Sequence, residues 1–158
     1  MLTQSKLKEV LNYDPLTGLF TWMISPRSMT RIGDAAGCAS RGYIVIGVLG
    51  VQYLSHRLAF LYMNGRWPSE IDHINGIKAD NRWLNLREAT RTTNMQNRRG
   101  PNKNNKVGFL GVSKDKSNFQ AQIKTDGIAR HLGNYKTPEL AHEAYIEAKR
   151  KLHPFGTI

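Results

Sequence analysis

The stretch RRGPNKNNK, Arg98 to Lys106, sets the first limit on the fold. It holds four cations and no acid, and Gly100-Pro101 breaks any regular backbone pattern. Such a composition makes a flexible basic linker, not a helix or a strand. The chain is therefore expected to divide into residues 1–99, a linker at 100–106 and a second domain at 107–158. With 158 residues the length suits one ordinary domain or two small ones.

The second domain has the clearer pattern. In Phe119-Gln120-Ala121-Gln122-Ile123-Lys124 the residues alternate, with Phe119, Ala121 and Ile123 on one face and Gln120, Gln122 and Lys124 on the other. Leu110 and Val112 start an earlier strand, and the segment Lys114 to Asn118, with Lys116, supplies a turn. Thr125-Asp126-Gly127 is a second turn before a third strand, Ile128 to Leu132. A helix then starts with Thr137 as N-cap and Pro138 at the first helical position. Leu140, Ala141, Ala144, Tyr145, Ala148 and Leu152 form its apolar stripe, and Lys149 is placed with the charged residues on the other sides. Three antiparallel strands packed on one helix are expected. The outer sheet face, with Gln120, Gln122, Lys124 and His131, is either a hydrated surface or a reader of base edges and phosphates.

In the first domain, Asp14-Pro15-Leu16-Thr17-Gly18 is a turn. Tyr43 to Ile46 and Val51 to Leu54 make a hairpin around a glycine-containing centre. Ser55 suits an N-cap for a short helix from His56 to Met63 that Gly65 can end. Arg57 is expected to be exposed, as a solvated charge or a phosphate contact.

The chemistry concentrates in IDHINGIKADNRWLNLREATRTTN, where Asp72 and His73 end an apolar run. Adjacent residues on a strand point to opposite sides, so one can hold a cation while the other addresses water. Histidine titrates near neutral pH and suits a general base. Thr90 can cap a helix that contains Asn94, and a hairpin followed by that helix would return Asn94 towards Asp72. One carboxylate and one amide oxygen form a sparse site of hard donors, which favours magnesium (or manganese) over zinc. The plainer reading of these residues is a turn with a satisfied histidine, since Asn75-Gly76 is an ordinary turn dipeptide.

The net charge of +11 favours an anionic partner, with nucleic acid the commonest. Cys38 is the only cysteine, which excludes an intramolecular disulfide and a multi-cysteine zinc site. No stretch has the length of a membrane span, and the N-terminus lacks the apolar core of a signal peptide. A soluble protein of a reducing cytoplasm is expected.

The residues Asp72-His73, Asn85-Leu86 and Asn94 resemble the ββα-metal motif of HNH nucleases, in particular the phage and intron-encoded homing group. YDPLTGLFTW, GYIVIGV and HRLAF extend the resemblance over roughly residues 13–98. It implies His73 as general base, Asp72 and Asn94 as ligands of one metal ion, and Asn85 as the residue that steadies the loop and orients the base. Asn94 stands where many members have histidine, and Asn97 is a weaker candidate ligand. Residues 107–158 resemble the plant ethylene-response-type (APETALA-like) DNA-binding domain, through Gly111-Val112, Phe119 to Ile123, Leu132-Gly133-Asn134-Tyr135, Thr137 and Ala141 to Tyr145. That resemblance implies a sheet lying in the major groove. It departs at Ser113 and Phe119, so no target sequence carries over.

The expected fold class is α+β. An N-terminal ββα-metal HNH core, its motif at about 68–98, follows a small β-rich region and precedes the C-terminal sheet and helix. The expected function is a metal-dependent endonuclease of double-stranded DNA, probing duplex with Arg57, Arg98, Arg99, Lys103, Lys106, Lys114, Lys116, Gln120, Gln122, Lys124 and His131. One active site per chain implies a nicking monomer, with a dimer as the form that cuts twice. A catalytically inactive, sequence-specific DNA-binding regulator is the alternative.

Overall fold

The structure is a computed structural model that describes residues 1–27, 29–98 and 100–153. The chain divides into two compact units, Met1–Thr90 and Arg91–Ile158. The fold is α+β, with several small sheets and short helices.

The first unit opens with α1 (Gln4–Val10), capped by Thr3, whose hydroxyl accepts from the Lys6 amide at 3.3 Å. β1 (Leu11–Tyr13) and β2 (Phe20–Trp22) pair antiparallel around the Asp14–Gly18 turn. The Asp14 carboxylate accepts from the Leu16 amide and the Thr17 hydroxyl, at 2.9 and 2.7 Å, and Gly18 closes the turn at φ 75°. A three-stranded sheet follows, of β3 (Cys38–Ser40), β4 (Tyr43–Val48) and β5 (Val51–Leu54). β4 runs through Gly47, so the turn is only Leu49-Gly50. Both turn residues have positive φ, 52° and 80°, as the tight turn of a two-residue hairpin requires.

α2 (Ser55–Asn64) comes next. Ser55 is not its cap as expected. Leu54 holds that position without a side-chain bond, and Ser55 is the first helical residue, buried to 2%. β5 runs through Leu54, paired with Val45, directly into the helix, so no residue is left between strand and helix for Ser55 to cap from. Gly65 does end the helix, in the left-handed region at φ 72°. α1, α2 and the sheets enclose Leu7, Leu11, Phe20, Ile46, Leu58 and Leu61, all buried, each contributing about 1.5–3 kcal/mol. β6 (Glu70–His73) and β7 (Leu86–Ala89) pair antiparallel, with a short 3₁₀ turn, Trp83–Asn85, just before β7.

The second unit begins with α3 (Arg91–Gln96). β8 (Val112–Asp115), β9 (Asn118–Thr125) and β10 (Ile128–Tyr135) form an antiparallel sheet with β9 in the centre, and α4 (Pro138–Leu152) packs on it. The three strands and the helix agree with expectation, except that Leu110 lies before the first strand, Thr125 belongs to β9 and not to the turn, and the third strand runs past Leu132 to Tyr135. Thr137 caps α4, accepting from the Leu140 amide at 3.4 Å. The apolar stripe needs two corrections. Leu140 is 48% exposed, whereas Lys149, assigned to the outer sides, is buried to 2%. Lys149 continues the i, i+4 row of Ala141 and Tyr145. Its amine is accommodated because it donates to the Arg98 carbonyl at 2.7 Å. Residues 102–105 form a turn, and Asn105 bonds to the carbonyls of Phe109 and Val112 and the amides of Val107 and Gly108.

Candidate active site

Asp72 and His73 are buried at the C-terminal end of β6, pointing to opposite sides as adjacent strand residues must. Asp72 faces its cross-strand partner Arg87 on β7, whose Nε donates to Oδ2 at 2.9 Å, and Nη2 donates to the same oxygen. This guanidinium is not anticipated by the sequence. Only the strand register reveals it.

His73 is held from its loop. Nε2 lies 3.3 Å from Asn81 Oδ1, and the Asn81 amide nitrogen donates to the Ala79 carbonyl at 3.3 Å. With its nitrogen committed there, Asn81 presents an oxygen to the ring. An oxygen can only accept, so the proton belongs on Nε2 and Nδ1 is the basic atom of the neutral ring. Burial pushes the His73 pKa down and outweighs Asn81, Asp72 and Asp80, which raise it, while Lys78 lowers it further. The ring is thus kept neutral, the state a general base needs.

Asn85 bonds to the loop. Its Oδ1 accepts from the Asn75 amide at 2.9 Å, its Nδ2 donates to the Asp80 carbonyl at 2.7 Å, and its carbonyl accepts from the Ile74 amide at 2.9 Å. Asn85 therefore closes residues 74–85 into a fixed ring, and Asn81 inside that ring meets His73. Asp80 adds a second brace. Its carboxylate takes Asn75 Nδ2 at 2.6 Å and the Arg82 guanidinium at 2.6 and 2.8 Å, and these bonds, Arg82 foremost, hold its pKa down at about 2. From outside the loop, the Tyr13 hydroxyl donates to the Asn81 carbonyl at 2.7 Å and the Trp83 amide to the Pro15 carbonyl at 2.9 Å. Gly18 lies so close that a Cβ there would fall 2.4 Å from the Asn81 carbonyl carbon and the Arg82 nitrogen.

Three residues that sequence reasoning missed line the base: Asn81, Tyr43 and His56. The His56 ring meets that of His73 edge-on, at 4.9 Å and 78°, and Tyr43 lies 5.4 and 6.2 Å from the two rings. The HRLAF motif is the available signal for His56, but nothing in it points to His73.

The other expected site residues are scattered. Arg57 is not an exposed cation. It is half-buried, with Nη2 and Nη1 donating to the carbonyls of Pro68 and Ser69 at 2.8 and 3.3 Å. The carbonyls at the end of that segment offer it partners that the sequence could not show. Asn94 is half-buried on α3 in the second unit, and Asn97 just beyond is buried. Arg98, Lys103 and Lys106 are exposed, while Arg99 lies outside the described residues. On the sheet, Gln120, Gln122, Lys124 and His131 share the outer face, and Gln120 Nε2 lies 2.9 Å from His131 Nδ1. Register puts Lys114 opposite Phe119, on the helix side of the sheet, and Lys116 in the turn. It also adds Ser113 and Asn134, which pair with Gln120, to the outer face.

Among the described residues no three His, Cys, Asp or Glu side chains gather into a metal site. The Asp72 carboxylate is a hard oxygen donor of the kind that suits a divalent cation bound through few protein ligands. The Arg87 guanidinium on Asp72 competes for the same carboxylate. No helix of the described residues is long and apolar enough to cross a membrane.

Residues 53–96 match the HNH endonuclease family. Over 106 residues the chain is 34% identical to an uncharacterized HNH endonuclease of Acanthamoeba polyphaga mimivirus, covering 66% of this chain and 54% of that protein. The chain thus spans about half the length of this curated relative. No solved structure matches it. The matched stretch runs from β5 through α3 and contains Asp72, His73, Asn81, Asn85 and Asn94, so the residues described above lie in the part of the chain that is similar to HNH endonucleases.

Proposed function

We propose that the protein is a metal-dependent endonuclease of double-stranded DNA, of the homing type, with His73 as general base. The observation that carries this reading is the neutral, buried His73 ring, with Nε2 engaged by Asn81, inside the stretch that matches the HNH family. His73 Nδ1 takes a proton from water, the water oxygen bonds to phosphorus, the bond to the 3′ oxygen breaks, and that oxygen takes a proton from solvent. The products are a 5′-phosphate and a 3′-hydroxyl end. Asn81 holds the tautomer and Asn85 holds the loop that presents Asn81. Asp72 and Asn94 would hold magnesium (or manganese), which supplies positive charge for the phosphate and the leaving oxygen. The outer face of the second unit's sheet, in the manner of the ethylene-response-type domain, docks in a major groove, and the cations of residues 98–106 contact phosphates.

The test is incubation with supercoiled plasmid with and without magnesium. Nicking that requires the ion supports the reading, and no cleavage under any divalent ion overturns it. One observation favours an alternative. Asp72 is paired with Arg87, as a structural carboxylate would be, so an inactive DNA-binding regulator fits that contact. Such a protein binds duplex with the same affinity whether or not magnesium is present.

A further inference from the structure

The first turn of α2 carries two residues that the chemistry above leaves unused. His56 is 7% exposed, and its Nδ1 is buried without a hydrogen-bond partner among the described residues. A leucine would fill the same space and leave no buried nitrogen unsatisfied, but it would present no ring to His73. The His56 and His73 rings meet edge to face, at 4.9 Å and 78°, and Tyr43 backs both rings. An edge-on contact of this kind is directional, because the positive rim of one ring meets the negative face of the other. Arg57, the next residue, ties the same helical turn to the carbonyls of Pro68 and Ser69, directly before the strand that ends in His73. The helix start and the strand are thus locked together by one residue while its neighbour meets the base.

We infer that His56 is a positioning residue for His73: its ring fixes the plane of the His73 imidazole, keeping Nε2–H on Asn81 so that Nδ1 stays the proton acceptor. The inference rests on the reading of His73 as the base. Displacing a catalytic group by about 1 Å is enough to lose about 100-fold in rate.

The experiment compares the full chain with His56→Phe, which keeps a ring edge, His56→Leu, which fills the volume without one, and His56→Ala. One readout is the imidazole nitrogen spectrum of His73 in ¹⁵N-histidine-labelled protein, which reports its tautomer without any cleavage. The second is magnesium-dependent plasmid nicking, separated into kcat and KM. His56→Leu and His56→Ala should mix the His73 tautomers and lower kcat about 10- to 100-fold, with KM for plasmid unchanged. His56→Phe should keep the wild-type spectrum and most of kcat. If the Leu variant, folded, matches the wild type in spectrum and kcat, the inference is overturned. If the Phe variant is as impaired as the Leu variant, the ring contact is not the cause and the inference is again overturned. A changed spectrum in a protein whose wild type never nicks DNA would sink the nuclease reading and leave the positioning role standing.

Discussion

Two connections in this molecule do the same topological task with very different means. β9 and β10 are joined by Asp126-Gly127 alone, both at positive φ, and the strands simply turn back. β6 and β7 are also an antiparallel pair, yet residues 74–85 separate them and are cross-braced by Asn75, Asp80, Asn81 and Asn85. Reversing a strand does not need so many polar groups. The difference teaches that they accumulate where a side chain must be held in one orientation, and that His73 is the side chain so held.

The strongest way to break this comparison is His73→Ala. It should slow cleavage by about 10²–10⁴-fold while duplex affinity stays nearly constant, since a general base acts only during the reaction. Single-turnover rates beside binding isotherms check it, and normal turnover at neutral pH would remove His73 from the role. On the other side of the same strand, Asp72→Ala should abolish the magnesium dependence along with activity. Asn94→Asp should retain part of the rate and respond to less magnesium, because an oxygen donor remains and gains charge. A magnesium titration of the nicking rate separates the two.

Acid should act next, through the paired rings. Burial, with His73 and Arg57 nearby, pushes His56 down to about 3, and burial also lowers His73. Both are neutral in the folded chain, while the unfolded chain takes up protons near the ordinary value of 6.5. Their contribution to stability is therefore whole above 6.5 and declines as the pH falls below it, for His56 down to about 3. Thermal midpoints between pH 7 and 4 should fall, and His56→Phe should flatten the decline.

The two connections themselves can be set against each other. Asn85→Ala removes two loop hydrogen bonds and should cost about 1–3 kcal/mol of stability together with cleavage rate. Gly127→Ala, at φ 81°, should cost about 1 kcal/mol and leave the chemical step alone. Equal losses of rate in both variants, measured on folded protein, would erase the distinction. The smallest effects belong to the sheet face. Gln120→Ala with Gln122→Ala should relax sequence preference by about 1–3 kcal/mol for each glutamine that pairs with a base edge, with little change in salt dependence. Neutralising Arg98, Arg99, Lys103 and Lys106 should weaken binding to every sequence and flatten the log–log salt slope by about 0.9 for each phosphate no longer neutralised.

What can be read from the sequence is whatever is encoded locally. Thr137-Pro138 announces α4, Gly65 announces the end of α2, and the alternation from Phe119 to Lys124 assigns its own faces. Asp72 and His73 stand out because their residue types are unusual at a strand end. What stays hidden depends on partners remote in the chain. Lys149 reads as surface until a carbonyl fifty-one positions away proves to receive its amine. Arg57 is misread for the same reason. Among four asparagines around the motif, no local rule says that Asn81 meets the ring and Asn85 ties the loop, and Arg87 becomes visible only once the register of β6 and β7 is known.

The turn at residues 14–18 has a consequence for anyone wishing to miniaturise the protein. Tyr13, Pro15 and Gly18 press on Asn81, Arg82 and Trp83, yet they precede the family match by some thirty-five positions. A graft cut at 53 and 96 would carry every residue of the motif and leave behind the surface against which its loop is shaped. A transplantable module has to begin before Tyr13, or its new host has to supply a replacement anvil.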